Sequence, residues 1–246
     1  MPDTEKGGDV VSLFITYGLM GPRDALLVLP PEWRQSLPAI AGLNKVLLHQ
    51  TSKVDDPFLG KEPARANEYV LQFYFDDLFS LEAASAHQGK LGKLTDQFEA
   101  LLEPVAFKDQ QVMTVRHYPI AGQPDHAATT PLCTYLVAYY SPGKSHDVWL
   151  SEYISKHVPL MRELPAIREV EIYTKVDWLS ELALPRADAI QRNKVVFDDA
   201  QALQVALDSP VRAQMRADYL ALPQMGLTNT HVPMRTDLVF SRQAQS

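Results

Sequence analysis

Apolar and polar positions follow a pattern that runs through the chain twice. Val10 to Tyr17 is a β-branched and aromatic run stopped at Gly18, and Leu132 to Tyr140 has the same character; both predict strands. After the second run, a Ser-Pro-Gly-Lys-Ser turn places Ser145 as a helix N-cap. Val148, Trp149, Tyr153, Ile154, Val158, Leu160 and Met161 then recur at helical spacing through Leu164. Pro159 predicts a kink or restart at His157-Val158-Pro159, because proline removes a backbone donor and crowds the preceding turn. The counterpart, Pro22 to Ser36, contains Pro22, Pro30 and Pro31 and reads as an eroded helix. Strands are predicted at Leu43 to Thr51 and Val170 to Val176, then long loops at Asp55 to Asn67 and Asp177 to Arg192. Third strands follow at Tyr69 to Phe75 and Lys194 to Phe197. Each ends in Asp-Asp, which starts a helix by accepting bonds from free amides, and the helices run from Phe79 to Leu102 and from Gln201 to Ala221. Val112 to Tyr118 and His231 to Phe240 close the two halves as strands.

The halves also echo each other in residues. Phe75-Asp76-Asp77 returns as Phe197-Asp198-Asp199 (197 − 75 = 122), and Leu37-Pro38-Ala39-Ile40 as Leu164-Pro165-Ala166-Ile167 (164 − 37 = 127). A period near half the chain means two copies of one unit, each with the order strand, helix, strand, strand, helix, strand. Such a βαββαβ unit forms a four-stranded antiparallel sheet with both helices on one face and leaves an apolar face to be covered. The fold class is therefore α+β: two tandem ferredoxin-like units, residues 9–120 and 132–242 joined by a linker at 121–131, whose sheets pack into an α+β barrel with a cavity at its centre.

Composition narrows the function. The 246 residues are 46% hydrophobic and 22% charged, as in a globular chain with a substantial core. A net charge of −7, with no Lys/Arg run longer than two, argues against nucleic acid as a partner. No apolar run approaches membrane-spanning length and the N-terminus is acidic, so a cytoplasmic protein without a membrane partner is expected. The single Cys133 excludes an internal disulfide and reads as a buried thiol. Phosphate-cradling glycine loops, a dinucleotide fingerprint and a nucleophile elbow are all missing from the sequence.

The second half, with Trp149, Tyr153, His157-Val158-Pro159-Leu160, Leu164-Pro165, the Phe197-Asp198-Asp199 strand end and Ser209-Pro210, resembles the EthD-like family of the dimeric α+β barrel (ferredoxin-like) superfamily. The resemblance covers residues 132–246 and reaches the first half only through the echoes. It implies a closed α+β barrel, here in one chain, and no one chemistry, since relatives include decyclases, isomerases and haem-using monooxygenases. Prolines stand in the first half where His157 stands in the second, so a histidine-based site is single.

His157 is the leading catalytic candidate, as a general base at a helix break with Tyr153 and Trp149 on the same helical face at i−4 and i−8. Arg116 and Arg235 sit in closing strands at similar places (235 − 116 = 119), where a guanidinium suits a carboxylate or phenolate; Arg235 is the candidate oxyanion partner. Tyr135 and Tyr139 offer phenol donors on alternate positions of one strand, and Trp178 belongs to a loop long enough to act as a lid. Helical packing, strand packing and a salt bridge between the halves are the plainer explanations of these same residues. The other histidines, His49, His87, His117, His126, His146 and His231, show no ligand spacing, so no metal is expected.

The function expected is a cofactor-independent lyase, dehydratase or isomerase acting on a small apolar, aromatic or polyketide-like oxygenated compound. A non-catalytic carrier or sensor of small hydrophobic molecules is the alternative. A haem-dependent oxygenase, which the resemblance allows, is the third, and further assembly as a homodimer stays open.

Overall fold

The computed structural model describes residues 11–21, 26–58, 68–102, 104–120, 122, 131–141, 143 and 146–242. The expected Ser145 cap, the start of the helix at Pro22, most of the linker and the far part of the first long loop lie outside the described residues.

The first unit runs β1 (Val11–Leu19), α1 (Pro31–Gln35), β2 (Leu43–Thr51), β3 (Glu68–Phe75), α2 (Leu78–Ser85), α3 (Lys90–Ala100) and β4 (Val105–Tyr118). The second runs β5 (Leu132–Tyr140), α4 (Asp147–Glu152), a π turn (Tyr153–His157), α5 (Val158–Met161), β6 (Glu169–Lys175), β7 (Ala189–Phe197), α6 (Ala200–Leu207), α7 (Pro210–Ala221) and β8 (Thr228–Ser241). Strand order is β1-β3-β2-β8-β5-β7-β6-β4, a closed barrel with every neighbour antiparallel. Each unit contributes four consecutive strands in the ferredoxin-like order, and the duplication is visible in register: Val11 faces Phe75 in the first unit and Cys133 faces Phe197 in the second, both 122 apart (133 − 11 = 197 − 75).

The sheets do not simply stack. Their edges join at β2·β8 and β4·β6, which leaves no unpaired strand edge. Apart from a small hollow with room for the centre of a water molecule over about 20 Å³, lined by Thr16, Glu68, Val70, Asp109, Leu136 and Arg192, side chains replace the cavity expected at the barrel centre by filling the space that the eight strands enclose. Phe14, Leu47, Val70, Tyr74, Met113, Leu136, Tyr173, Val232 and Met234 occupy it, with Phe14 edge-on to Tyr173 at 4.9 Å. A polar chain threads between them. Lys194 Nζ donates to Tyr74 Oη at 2.6 Å and pairs with Glu171 at 2.7 Å and Glu169 at 2.9 Å. Gln72 Nε2 donates to Tyr173 Oη at 2.9 Å, and the buried His49 ring bonds Gln72 at 3.0 Å and Thr236 at 2.8 Å.

Two helices differ from expectation. Each long second helix is broken: the first at Ala86–Gly89, where a Cβ on Gly89 would lie 2.2 Å from Ala84 O, and the second at Asp208-Ser209 before Pro210. Asp77 and Asp199 cap as predicted, accepting from Ser80 N at 2.7 Å and Ala202 N at 2.8 Å. Among the described residues no helix is long and apolar enough to cross a membrane.

Candidate active site in the second unit

The space that the sequence places inside the barrel lies instead outside it, between the helices of the second unit and the outer face of its sheet. Alternation decides this. On β5 the odd-numbered residues Cys133, Tyr135, Val137 and Tyr139 face the helices while Leu136 faces the interior; on β7 Asn193, Val195 and Phe197 face the helices while Lys194 faces inward. The hollow between these strands and α5, α6 and α7 has room for the centre of a water molecule over about 60 Å³. That is several times what one water needs. Met161, Leu164, Leu203, Leu207 and Met215 make up most of its apolar wall.

His157 enters this hollow from the last residue of the π turn. Val158 N–H reaches back five residues to Tyr153 O, which absorbs the misfit ahead of Pro159 and turns the imidazole towards α7. There Nδ1–H donates to Asp218 at 2.8 Å. The neutral ring thus carries its proton on Nδ1, and Nε2 keeps its lone pair with no hydrogen bond among the described residues. Burial holds the imidazole below its usual range against the opposing pull of Asp218, so the ring is a neutral acceptor near pH 7.

Tyr153, one turn back, stacks on His157 at 4.6 Å and Trp149 stacks on Tyr153 at 4.9 Å. Gln191 Nε2 donates to Asn193 Oδ1 at 2.8 Å, Asn193 Nδ2 to Tyr153 Oη at 2.5 Å, and Tyr153 lies 3.2 Å from Tyr139 Oη. With Tyr153 accepting from Asn193 and donating to Tyr139, the Tyr139 proton is the one left over. Burial pushes both phenols well above their ordinary range, so they act as donors and not as phenolates.

The lower wall comes partly from the first unit. The segment after β2 crosses over: Asp55 N–H donates to Gln204 Oε1 at 3.1 Å, Gln204 Nε2 donates back to Asp55 O at 2.9 Å, and the Asp56 carboxylate, 2% exposed, accepts from Arg212 at 2.6 Å and from the Tyr135 hydroxyl at 2.7 Å. Burial raises the Asp56 carboxyl, but bonds from Arg212, Phe58 N and Tyr135 outweigh it and keep the group ionised. The converse crossing, the segment after β6, lays Trp178 and Leu182 on the first unit.

Of the residues singled out in the sequence, His157, Tyr153, Trp149, Tyr139 and Tyr135 come together here. Three do not. Arg235 lies on the β8 surface, bonded to Asp237 at 3.1 and 3.0 Å. Arg116 bonds Thr174 at 2.6 Å on the exposed β4·β6 seam. Their supposed equivalence slips by two residues, since Val11 faces Thr114 where Cys133 faces Arg235 (235 − 114 = 121). Trp178 packs in the first unit's core beneath Arg186, 4.3 Å above its ring. Cys133 is a buried free thiol pushed up to about 12. Asp218, Arg212, Arg216, Asn193, His231 and Asp56 line or brace the hollow and were not singled out; the legible sign was α7, whose inward stripe carries Arg212, Arg216 and Tyr219 among apolar residues.

A haem does not fit these residues. The space takes a few waters, too little for a macrocycle. His117, Glu169 and Glu171 gather at one end of the barrel interior with ligand atoms within 4.8 Å, but Lys194 already supplies the cation there.

No family model matches the chain, and no curated protein does. Solved structures do. An anthrone oxidase-like protein superposes with a TM-score of 0.57 at 9% identity, covering 96% of this chain and 95% of its own. A protein described as a monooxygenase, from Fusobacterium nucleatum, gives 0.51 at 9% identity, covering 94% of this chain and 93% of its own. An EthD family protein from Bacillus halodurans is 19% identical over 40% of this chain and 95% of its own, with a TM-score of 0.32. At such identities the likeness is one of fold: a closed eight-stranded α+β barrel built from two ferredoxin-like units, here in one polypeptide.

Proposed function

We propose that the second unit's hollow is the active site of a cofactor-independent lyase, dehydratase or isomerase acting on a small, largely apolar, aromatic or polyketide-like oxygenated compound. The observation that carries the reading is the His157–Asp218 pair opening onto an aromatic, apolar wall. Asp218 fixes the tautomer, so Nε2 is the atom that removes a proton from carbon next to a carbonyl. Tyr139, carrying the leftover proton of the Gln191–Asn193–Tyr153 chain, donates to the oxygen on which charge then builds. It replaces Arg235 in that role. The EthD-like reading stands on the second unit's motifs and is part of this proposal.

Proton abstraction is tested without knowing the product. Small aromatic and 1,3-dicarbonyl compounds are incubated with the protein in D2O, and loss of the α-proton signal is followed by NMR. Exchange by the wild type that falls about 10²-fold or more in His157→Gln supports the base. Undiminished exchange in that variant overturns it. A carrier or sensor is the second reading, favoured by the way Asp56, Arg212 and Tyr135 satisfy one another without a ligand; binding of these compounds with no exchange by wild type selects it.

A further inference from the structure

One cation in the hollow is unused. Arg212 is neutralised by Asp56 and the His157 proton is shared with Asp218, whereas Arg216, one turn further along α7 from Arg212, lines the same hollow with no hydrogen bond or ion pair among the described residues. Across from it on β8 stands His231, whose ring leans on Tyr135 at 5.6 Å and Tyr139 at 6.4 Å and whose nitrogens have no hydrogen bond among the described residues. Burial, then the charges of Arg212 and Arg216, push His231 down to about 4, so it is a neutral ring with an N–H to give. Asn229 completes the wall, its amide already donating to Tyr219 Oη at 3.1 Å.

We infer that Arg216 and His231 form an anion subsite, and that the compound held in the hollow carries a carboxylate or an acidic oxygen that docks there while its apolar body lies on Met161, Leu203 and Met215. The inference rests on the reading of the hollow as a small-molecule site. A guanidinium meets a carboxylate through two parallel donors, and the neutral imidazole adds a third. Arg216 is what separates this wall from the Arg212 side: the charge of Arg212 is spent on Asp56 and the segment after β2, whereas Arg216 has no counter-charge paired with it among the described residues. The subsite would orient the ligand so that its reactive carbon lies towards His157, and would favour the acid over uncharged molecules of the same shape.

The test is a matched pair of probes, 2-hydroxybenzoate and 2-hydroxybenzamide, titrated by calorimetry into wild type, Arg216→Gln, Arg216→Lys and His157→Gln. Wild type is expected to bind the acid about tenfold or more tighter than the amide, as one charge-assisted bond requires. Arg216→Gln should abolish that preference and leave amide affinity unchanged. Arg216→Lys should restore part of it, and added salt should shrink it in wild type only. His157→Gln should keep the preference, which separates this subsite from the base: loss of D2O exchange with the preference intact tells against neither. Equal affinity of wild type for both probes, binding of neither probe, or a preference that survives Arg216→Gln, overturns the inference.

Discussion

The two units share a frame and differ in what lies between helix and sheet. In the first, Trp33 from α1 meets Phe73 and Phe98 at 6.4 Å each, its Nε1–H donates to Leu94 O at 3.0 Å, and Trp178 and Leu182 from the second unit close the rest. In the second, the positions of Leu71 and Phe73 are taken by Asn193 and Val195 (193 − 71 = 195 − 73 = 122), which removes bulk and adds a donor. The five-residue α1 delivers one large ring as a plug; the longer α4–π–α5 run delivers an imidazole and stops short of filling the space. Duplication thus yields one packed half that stabilises and one hollow half free to bind.

The largest effect expected from breaking this contrast is at the plug. Trp33→Ala should lower stability by about 3–5 kcal/mol in urea unfolding, because it opens a cavity and removes the indole bond to Leu94 O. Met215→Ala, beside a hollow that already exists, should cost about 2 kcal/mol. Equal costs would remove the distinction between a filled and an empty layer.

Acid sharpens the comparison next. His49, sealed in the barrel interior, is pushed to about 3 by burial and then by Lys194, and His231, facing the hollow, to about 4. Both native values lie below the unfolded value near 6.5, so the unfolded chain takes up protons first. Stability is therefore present above pH 6.5 and declines as pH falls towards those native values, by at most about 1.4 kcal/mol per pH unit for each ring. Between pH 6.5 and 5 this loss should be lessened in His49→Gln and, separately, in His231→Gln. A flat profile from pH 7 to 5 in wild type would contradict these environments.

The smallest effect concerns what the units have in common. Asp77→Ala and Asp199→Ala should each cost about 1 kcal/mol, since each removes a backbone cap bond of nearly the same length, and the exposed Ser80 hydroxyl bond that Asp77 also accepts at 3.2 Å should separate the two by no more than a few tenths. A large inequality would mean that the shared frame is less symmetric than its registers.

Much of the frame was legible in the chain. All eight strands, both Asp caps, the lost helix of the first unit and the break ahead of Pro159 follow from alternation, turn residues and the 122-residue echo, all local signals. The aromatic face with Trp149, Tyr153 and His157 was legible for the same reason, as residues at i, i+4 and i+8 share one side of a helix. The breaks at Gly89 and Pro210 were written in the sequence too but hidden by the continuous apolar spacing around them.

What the sequence alone determined, then, is the order of elements, their duplication and which half keeps an imidazole, because period, caps and breakers act within a few residues. Only the tertiary structure decided that side chains fill most of the barrel interior, that the hollow with His157 lies on the helix side, and that Asp218, Asn193 and Asp56 meet His157, Tyr153 and Arg212 there. Those partners lie 61, 40 and 156 residues apart and come from facing elements. Their meeting is fixed by how the strand edges join and which way each strand turns its side chains, and neither leaves a mark in local spacing.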